Sequence, residues 1–509
     1  MLQEMIISIR EGERLSDALK RRGYNGLPSN CIIDKTLPGL GVTYCELMSD
    51  RDSIIVEPNV PVIKGKMEKH KNVLGVYSGV SPRTIADYLL TPSTFRKKIL
   101  ITPDTFFMVK EIMKELNINM YEEFFLLLDE CEKDFPVEEM REDFFRFRNR
   151  SFVTVFPIIA GDPLMKENGF FTLTVRPEYE CKHKQKLKLL TTNNIVETLL
   201  ARIAQLKGPV CIFCHSDETI ESLVSDIPLL QEKGYVFRNE DAFVPDTAKL
   251  YPYNLFTSHY YLAVDIELPL PPHVILISDL FSSKPSFIDP KTEVPQIIGR
   301  FRGGVSSVTH ISNIDPELNF YTSKQARIWL KNAGKIYAGW LRKKETTQYE
   351  GAREILEEAL QQSTYARFVD KEGKINPIGI TKFIEKEMVK GLYTHTKLLL
   401  EAYQNAECFQ VSHEREVHIF SDKDRLSLRC KLTQEGRNRL LLSRFEQLEV
   451  LRKVRSSKAQ TRYRHLIDRL INNPSDSFLY NCFLEYGSNF IRNSGYKEYV
   501  MRKEINRND

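Results

Sequence analysis

Short apolar segments that alternate with helical stretches constrain the fold of this chain more than any other feature. A first series, between residues 30 and 175, comprises Ser53–Glu57, Ile99–Thr102, Phe124–Leu128 and Phe152–Phe156. A second series, from about 190 to 315, comprises Val210–Cys214, Asn254–Thr257, Val274–Ser278 and Val305–His310. Unbroken apolar strands are buried on both faces, and strands that alternate with helices form parallel sheets. The pattern predicts two successive α/β lobes with a cleft between them.

Length and periodicity extend this prediction to the whole chain. A chain of 509 residues is too long for a single core. We expect a first lobe over residues 1–175, with a short helical N-terminal extension in 1–27, and a second lobe over 176–315. A mainly helical C-terminal region is expected over 316–509, because one helical face after residue 316 carries Trp329, Ala333, Ile336 and Trp340.

The C-terminal region also contains an alternating stretch, Arg425–Leu432, which is typical of a β-strand. It predicts one hairpin, in which this strand pairs with Val417–Phe420 across a short turn.

Charge and cysteine usage exclude several classes of protein. The 72 Lys and Arg face 68 Asp and Glu, so any basic surface must be local. The first fifteen residues carry charges and no cleavage-type site, and no apolar run reaches membrane-spanning length. The nine cysteines are scattered, and Cys211-x-x-Cys214 lacks a second pair of zinc ligands, so core strand positions are the interpretation. A cytoplasmic protein with reduced thiols and no membrane contact is expected.

Three motifs follow one another along the chain. The first, Thr36-Leu37-Pro38-Gly39-Leu40-Gly41-Val42-Thr43, follows the apolar Cys31–Ile33. A glycine-rich turn between a strand and a helix aims backbone N–H groups at phosphates, although such a turn by itself is more often only a turn.

The second motif is the pair Asp129-Glu130 at the end of the apolar Phe124–Leu128. In nucleotide hydrolases the first of two such carboxylates supports Mg²⁺ and the second polarises the attacking water. The alternative is a solvated strand end.

The third motif, Gln296-Ile297-Ile298-Gly299-Arg300-Phe301-Arg302, is the most specific. Two arginines spaced two residues apart beside a glycine suit an arginine finger, which neutralises charge that develops on a γ-phosphate.

In this order, the three motifs resemble those of superfamily 2 nucleic-acid helicases of the DEAD/DEAH-box type, over roughly residues 30–315. The resemblance implies two RecA-like lobes that bind ATP and Mg²⁺ between them. The ligands of ATP would be Gly39, Leu40, Gly41, Val42, Thr43, Asp129 and, at the ribose, Asp265. Thr43 and Asp129 would hold Mg²⁺, and Glu130, Gln296, Arg300 and Arg302 would act in hydrolysis.

Weaker segments also match the helicase pattern. The resemblance implies that Pro58, Thr102 and Thr257 touch a nucleic-acid backbone. Thr154-Val155-Phe156-Pro157 occupies the place of the Ser-Ala-Thr-Pro motif that couples hydrolysis to movement, and it keeps only one hydroxyl, at its start.

One departure from the family concerns the phosphate loop, where Val42 stands in the place of the usual lysine. Two accounts are open. In the first, the protein is a silent helicase-like ATPase that binds nucleic acid or a partner within a larger assembly. In the second, another cation fills the place, and Lys35 at the entry of the loop is the candidate, with a solvated loop charge as its alternative.

A basic segment between Arg425 and Arg469 contains thirteen Lys and Arg against four acidic residues, a local charge of +9. Such a segment suits phosphate contact, with a solvated helical face as the alternative. The leading hypothesis is an ATP-dependent helicase or translocase, an enzyme acting on nucleic acid, with DNA favoured over RNA. Partner proteins of a replication or mobile-element assembly are a further expectation.

Overall fold

The fold is given by a computed structural model of the chain. It describes residues 2–10, 12–34, 40–130, 138–154, 163–177, 184–237, 251–257, 266, 268–282, 285–301, 303–369, 375–406, 408–424, 433–453, 457–471 and 473–508.

The first sheet has eight strands, all of them parallel. They are β1 (Gln3–Ile9), β2 (Cys31–Asp34), β3 (Ser53–Val56), β4 (Val73–Val76), β5 (Lys98–Ile101), β6 (Phe125–Asp129), β7 (Asn149–Thr154) and β8 (Phe171–Pro177). Their order across the sheet is β1-β8-β2-β7-β6-β3-β5-β4. The four central strands are buried along almost their whole length, because helices cover both faces of the sheet.

Eight helices alternate with these strands in the described part of the first lobe. They are α1 (Leu15–Arg21), α2 (Val42–Leu47), α3 (Val60–Lys69), α4 (Pro82–Leu90), α5 (Phe106–Glu115), α6 (Met120–Glu123), α7 (Glu138–Arg146) and α8 (Pro163–Glu167). A single 3₁₀ turn, Pro103–Thr105, leads into α5. Two apolar clusters lie on the two faces of the sheet, one around Ile54 and Leu126 and one around Ile55 and Leu127, as the alternation of strand side chains requires.

The second sheet has seven parallel strands. They are β9 (Gln185–Thr192), β10 (Val210–Cys214), β11 (Gly234–Phe237), β12 (Tyr253–Phe256), β13 (His273–Ser278), β14 (Ser307–Ser312) and β15 (Phe409–Glu416). Their order is β11-β12-β10-β13-β14-β9-β15. The helices of this part are α9 (Ile195–Ile203), α10 (Asp217–Asp226), α11 (Pro228–Lys233) and α12 (Glu293–Gly299). Two sheets of parallel strands with crossover helices confirm the predicted fold class.

Helices dominate the chain after β14, as predicted. They are α13 (Ser323–Thr346), α14 (Glu350–Gln362), α15 (Pro377–Leu392), α16 (Thr396–Gln404), α17 (Gln434–Lys453), α18 (Ser457–Leu470), α19 (Pro474–Asn493) and α20 (Glu498–Asn508). A 3₁₀ turn, Ala366–Phe368, follows α14. The last four helices share a core of their own that includes Leu441, Phe445 and Ile491. None of the helices among the described residues is both long and apolar enough to span a membrane.

The N-terminal prediction was wrong in one part. Residues 3–9 form strand β1, not a helix, and pair in parallel with β8, whereas the helix predicted nearby is α1. Ile7 and Ile9 are buried and Ile6 is 41% exposed, so the burial alternates with a period of two. The strand forms because strand β8, 168 residues further along the chain, pairs with it.

One strand of the predicted hairpin, Arg425–Leu432, lies outside the described residues. The prediction for the other strand was wrong. Val417–Phe420 is not a strand. It follows β15 and bonds instead to the turn before α9, where Asn193 accepts from the His418 N–H at 2.7 Å and Asn194 donates to the Phe420 carbonyl at 2.7 Å. The carboxylate of Asp422 then accepts from the Ile195 N–H at 2.8 Å, which satisfies a free N–H at the start of α9.

Strand β15 carries the second sheet beyond residue 315. It pairs with β9, at the edge of the sheet, through residues 409–416. The lobe boundaries at 175 and 315 remain predictions, but the helical region contributes a strand to the second sheet. The interpretation of Cys211 and Cys214 as core strand residues is confirmed, since both are fully buried in β10 as free thiols.

Candidate nucleotide site between the two sheets

Three acidic residues lie at the carboxyl edge of the first sheet. Asp129 ends β6, Glu130 follows it, and Glu57 follows the neighbouring strand β3. In parallel sheets this edge gathers the strand-to-helix loops, and ligands bind there. All three side chains are buried, with exposures of 5%, 4% and 0%. A buried carboxylate needs a cation or hydrogen-bond donors, so the edge is built to hold charge.

The helix after the predicted phosphate loop, α2, meets this acidic edge through Thr43. The Thr43 hydroxyl donates a hydrogen bond to Oδ2 of Asp129. Gly41, with φ at 76°, starts the helix in the left-handed region that favours glycine. Thr43 and Asp129, the two predicted Mg²⁺ ligands, are therefore in direct contact. Leu40, the residue before Gly41, is half-buried.

Val42 belongs to the apolar core behind the loop. Its side chain is 4% exposed and packs in the same cluster as Cys31, Ile33 and Cys45. An ammonium group at this position would start in an apolar environment, where a charge is costly. The structure thus gives Val42 a packing role of its own.

A lysine that the sequence analysis did not single out stands beside Asp129. Lys66 of α3 places its Nζ atom 2.5 Å from Oε1 of Glu57 and 3.6 Å from Oδ2 of Asp129. Burial raises the pKa of Glu57, and the charges of Asp129 and Glu130 act in the same direction, while the Lys66 ammonium group at 2.5 Å opposes them and favours the carboxylate. The sequence did offer one signal for Glu57, which is a carboxyl group directly after the apolar strand β3. Its closeness to Asp129 could not be predicted, because β3 and β6 become neighbours only in the folded sheet.

The second lobe reaches the same edge through Arg300, which directly follows α12. The Arg300 guanidinium lies 4.0 Å from Oε1 of Glu130, and the two side chains are 6% and 3% exposed. Glu130 has a φ of 54°, an unusual value for a residue other than glycine, and such backbone strain concentrates at functional sites. Two of the predicted residues, which lie 170 positions apart in the sequence and belong to different lobes, are thus brought together.

Gln296, one turn earlier on α12, is buried at 4% exposure. Its neighbours Val294 and Ile297 pack in the core of the second lobe together with Phe301. That core also includes Val62 of α3, so the two lobes touch beside the acidic edge.

Four predicted site residues, Lys35, Gly39, Asp265 and Arg302, lie outside the described residues, as does most of the Thr154–Pro157 segment. Magnesium ligands remain a prediction as well. No group of three His, Cys, Asp or Glu side chains within the described ranges is arranged as a metal cage. Mg²⁺ in nucleotide sites uses one or two carboxylates together with phosphates and water, and Thr43 with Asp129 fits that donor set.

The three predicted nucleic-acid contacts lie at strand ends but differ in exposure. Pro58 is half-buried. Thr102 is 4% exposed, and its hydroxyl lies 3.3 Å from the hydroxyl of Thr105. Thr257 is 2% exposed, and its hydroxyl has no hydrogen-bond partner among the described residues. Contact with a nucleic acid through these positions stays a prediction.

The basic C-terminal segment is less free than its charge suggested. Arg437 forms a two-bond ion pair with the buried Asp476, at 2.6 and 2.9 Å, and Arg444 pairs with Asp424. Phe445 and Tyr463, which stand among the basic residues in the sequence, are core residues at 0% and 5% exposure. Part of this charge therefore stabilises the helical bundle.

Comparison with known proteins gives structural similarity alone. No protein-family model matches the sequence, and no curated protein matches it. A structure of S. cerevisiae Dbp5 bound to RNA and ADP BeF3 is similar over 56% of this chain and 79% of that one, at 15% identity and a TM-score of 0.39. A DEAD box protein from Methanococcus jannaschii is similar over 58% and 84%, at 13% identity and a TM-score of 0.33.

A third similar structure is RecG bound to a three-way DNA junction. It is similar over 75% of this chain, which spans about half (48%) of the length of RecG, at 11% identity and a TM-score of 0.37. Because all of these TM-scores are below 0.5, they carry no conclusion about function, which depends on the contacts of the site itself.

Proposed function

We propose that this protein binds ATP with Mg²⁺ between its two lobes and hydrolyses it as a helicase or translocase on nucleic acid. The observation that carries the proposal is the approach of Arg300 to Glu130 across the lobes, beside the Thr43–Asp129 contact. An acid that orients water and an arginine for the γ-phosphate must meet at one point, and they come from different lobes here.

Each residue has a separate chemical role in this proposal. Thr43 and Asp129 would hold Mg²⁺, which supplies charge neutralisation at the β- and γ-phosphate oxygens. Glu130 accepts a proton from the water that attacks the γ-phosphorus. Arg300 offers N–H donors to the charge that develops on the transferred phosphoryl group. The buried setting strengthens both interactions, since the local dielectric is low.

Movement of the lobes would link this chemistry to nucleic acid. Arg300 reaches Glu130 only when the lobes touch, so a nucleotide between them would tie their closure to binding and hydrolysis. DNA is favoured over RNA as the partner on the sequence hypothesis alone, and the test below includes both.

A catalytically silent protein of the same fold is the second candidate. The observation in its favour is the burial of Val42 in the apolar core, which leaves the phosphate loop without its usual charge. Such a protein would bind nucleic acid or a partner without turning over ATP.

The decisive experiment measures ATP binding by calorimetry and phosphate release by the purified full chain, with and without single-stranded DNA or RNA. We expect nucleotide binding that requires Mg²⁺ and hydrolysis that nucleic acid stimulates. Glu130→Gln should keep nucleotide affinity and slow hydrolysis strongly, whereas the surface control Glu111→Gln should change neither. Binding without hydrolysis would favour the silent candidate, and absence of any nucleotide affinity would refute the ATPase proposal.

A further inference from the structure

The helix α3 lies between the cores of the two lobes. Its N-cap is Asn59, whose side chain accepts from the Val62 N–H at 3.3 Å. Ile63 is buried in a core of the first lobe, and Val62 is buried with residues of the second. Lys66 follows these residues by three and four positions and so shares their face of the helix. This face carries its side chain to the acidic edge.

Lys66 is held at that edge by two carboxylates. Its Nζ atom is 2.5 Å from Glu57 and 3.6 Å from Oδ2 of Asp129. The same Oδ2 atom accepts the hydrogen bond from Thr43. The ammonium group and the Thr43 hydroxyl therefore flank one carboxylate oxygen, and the lysine side chain is still 24% exposed. The other oxygen of Glu57, Oε2, is buried without a hydrogen-bond partner among the described residues.

We propose that Lys66 supplies the positive charge for the terminal phosphates of the nucleotide that the phosphate loop lacks at Val42. This inference rests on the proposed ATP site. The charge arrives from α3 instead of the loop, and Glu57 positions it before the ligand binds. When the phosphates enter, the ammonium group exchanges Asp129 for a phosphate oxygen while Glu57 keeps its hold, and Asp129 becomes available to the metal.

A merely structural role for Lys66 predicts a different outcome. In that case, the lysine only neutralises the buried Glu57, and its removal would destabilise the fold without changing which ligands bind. A variant that removes both charges separates the two roles. Lys66→Met with Glu57→Gln removes the lysine without leaving Glu57 as a buried carboxylate that has lost its cation, and Asp129 keeps its hydrogen bond from Thr43, so the fold is kept while the phosphate contact is lost.

The test measures the affinity of the full chain for a non-hydrolysable ATP analogue and for AMP, in Mg²⁺, by calorimetry. We expect Lys66→Met/Glu57→Gln to weaken binding of the analogue by about 10- to 100-fold, the scale of one charge-assisted hydrogen bond, and to leave AMP binding unchanged. Lys69→Met, which removes an exposed charge one turn away, is the matched control.

The outcomes separate this inference from the proposed function. If the wild-type chain binds no nucleotide, the ATP site itself is refuted. If the wild-type chain binds the analogue and the double variant binds it equally well, the ATP site stands and Lys66 has no phosphate role. Equal weakening for the analogue and AMP would also overturn the inference, because a phosphate contact must discriminate between them.

A second, independent feature is a basic stripe on α13. We define it as the five exposed residues Lys324, Arg327, Lys331, Lys335 and Arg342. Spacings of three, four, four and seven residues put them on one face of the helix, opposite the buried Ala326 and Leu330, over about 27 Å. None of the five forms an ion pair with a described residue, and the whole helix contains one acidic residue, Glu345.

Like charges at this spacing repel one another and destabilise a helix, so a stripe of one sign fits a polyanion that offsets the repulsion. We infer that the basic stripe binds the phosphate backbone of a nucleic acid, independently of base sequence. This inference deepens the proposed action on nucleic acid and rests on it. Unlike the arginines of the bundle that are already ion-paired, all five side chains are free to face phosphates.

The test is fluorescence anisotropy of a labelled single-stranded DNA with the full chain, without nucleotide, at several salt concentrations. Lys331→Gln/Lys335→Gln should lower the slope of log affinity against log salt by about 1.4, since each lost contact with a single strand removes about 0.7. Lys207→Gln/Lys233→Gln removes the same charge from exposed positions of the second lobe and should leave the slope unchanged.

Three results would overturn the role of the basic stripe. If both double variants lower the slope equally, net charge is responsible and the stripe is a solvated face. If the stripe variant keeps the wild-type slope, other residues carry the contact and only the stripe is refuted. If the wild-type chain binds anionic vesicles and no DNA or RNA, the proposed action on nucleic acid fails with it.

Discussion

The second lobe should lose stability in mild acid because of one buried histidine. His310 in β14 is fully buried, with Nε2 at 2.9 Å from the hydroxyl of Ser278 and Nδ1 at 2.7 Å from that of Tyr403. Burial lowers the pKa of His310 from 6.5 to about 3. Tyr403 lies on α16, so this pair of hydrogen bonds also ties the helical region to the sheet.

The sign and size follow from proton binding. The unfolded chain takes up a proton at His310 below about pH 6.5, whereas the folded chain does not until about pH 3. The stabilising effect is therefore complete above the unfolded pKa and is lost as the pH falls. At pH 5 the pH lies about 1.5 units below the unfolded pKa. Protonation of the unfolded chain between about pH 7.5 and pH 5 therefore lowers the free energy of unfolding by about 2 kcal/mol.

Hydrogen exchange of β13 and β14, corrected for the intrinsic pH dependence, measures this opening free energy locally. The His310→Gln side chain keeps a donor and an acceptor but does not titrate. Between the two pH values, we therefore expect the opening free energy of the variant to fall by about 2 kcal/mol less than that of the wild-type chain. Carboxylates elsewhere titrate in both proteins and cancel in the comparison. If the variant loses as much stability in acid as the wild type, another group is responsible and the argument from burial fails.

Four further predictions concern the site and the C-terminal region. Arg300→Ala should slow phosphate release by about three powers of ten, and unchanged turnover would remove Arg300 from the site. Val42→Lys should lower the melting temperature because it places an ammonium group in the core, and an unchanged melting temperature would show that the side chain leaves the core. Lys35→Ala should leave nucleotide affinity unchanged if Lys66 supplies the charge. A large loss of affinity in that variant would assign the role to Lys35 instead. Truncation after Asp424 should lower the salt slope of DNA binding by less than the +9 charge suggests, since two of its arginines are ion-paired, and a fall of the full size would mean that those pairs open on binding.

The sequence predicted individual strands better than it predicted which strands pair with each other. The apolar runs that became β3, β5, β6 and β10 were predicted because residues buried on both faces leave a local signature. Strand β1 was missed because its pattern is weak and its partner β8 is remote in sequence. Local periodicity reports burial, but it does not report the neighbour that causes burial.

The candidate site divides in the same way. Asp129, Glu130 and Arg300 were predicted because each sits in a motif whose residue types occur close together in the sequence. Glu57 and Lys66 were not, since they reach Asp129 only through the pairing of β3 with β6 and the packing of α3.

The count of charged residues along the chain identified the basic segment, but it did not predict which of its residues form ion pairs. The basic segment from Arg425 to Arg469 was predicted to be a phosphate-binding surface, yet Arg437 is neutralised by Asp476, 39 residues away. The stripe on α13, by contrast, becomes a candidate because its partners are absent from the described surroundings, a fact that only coordinates provide.

The sequence by itself determined two parallel α/β lobes, an acidic strand end and an arginine motif, because hydrophobic periodicity and short motifs are local properties of the chain. The tertiary structure alone decided which strand lies next to which, which arginine faces Glu130 and which lysine stands beside Asp129. These contacts join residues that are 9 to 170 positions apart. The physical reason is that burial and electrostatic interaction depend on distance in space, and the fold sets that distance through packing that no single segment encodes.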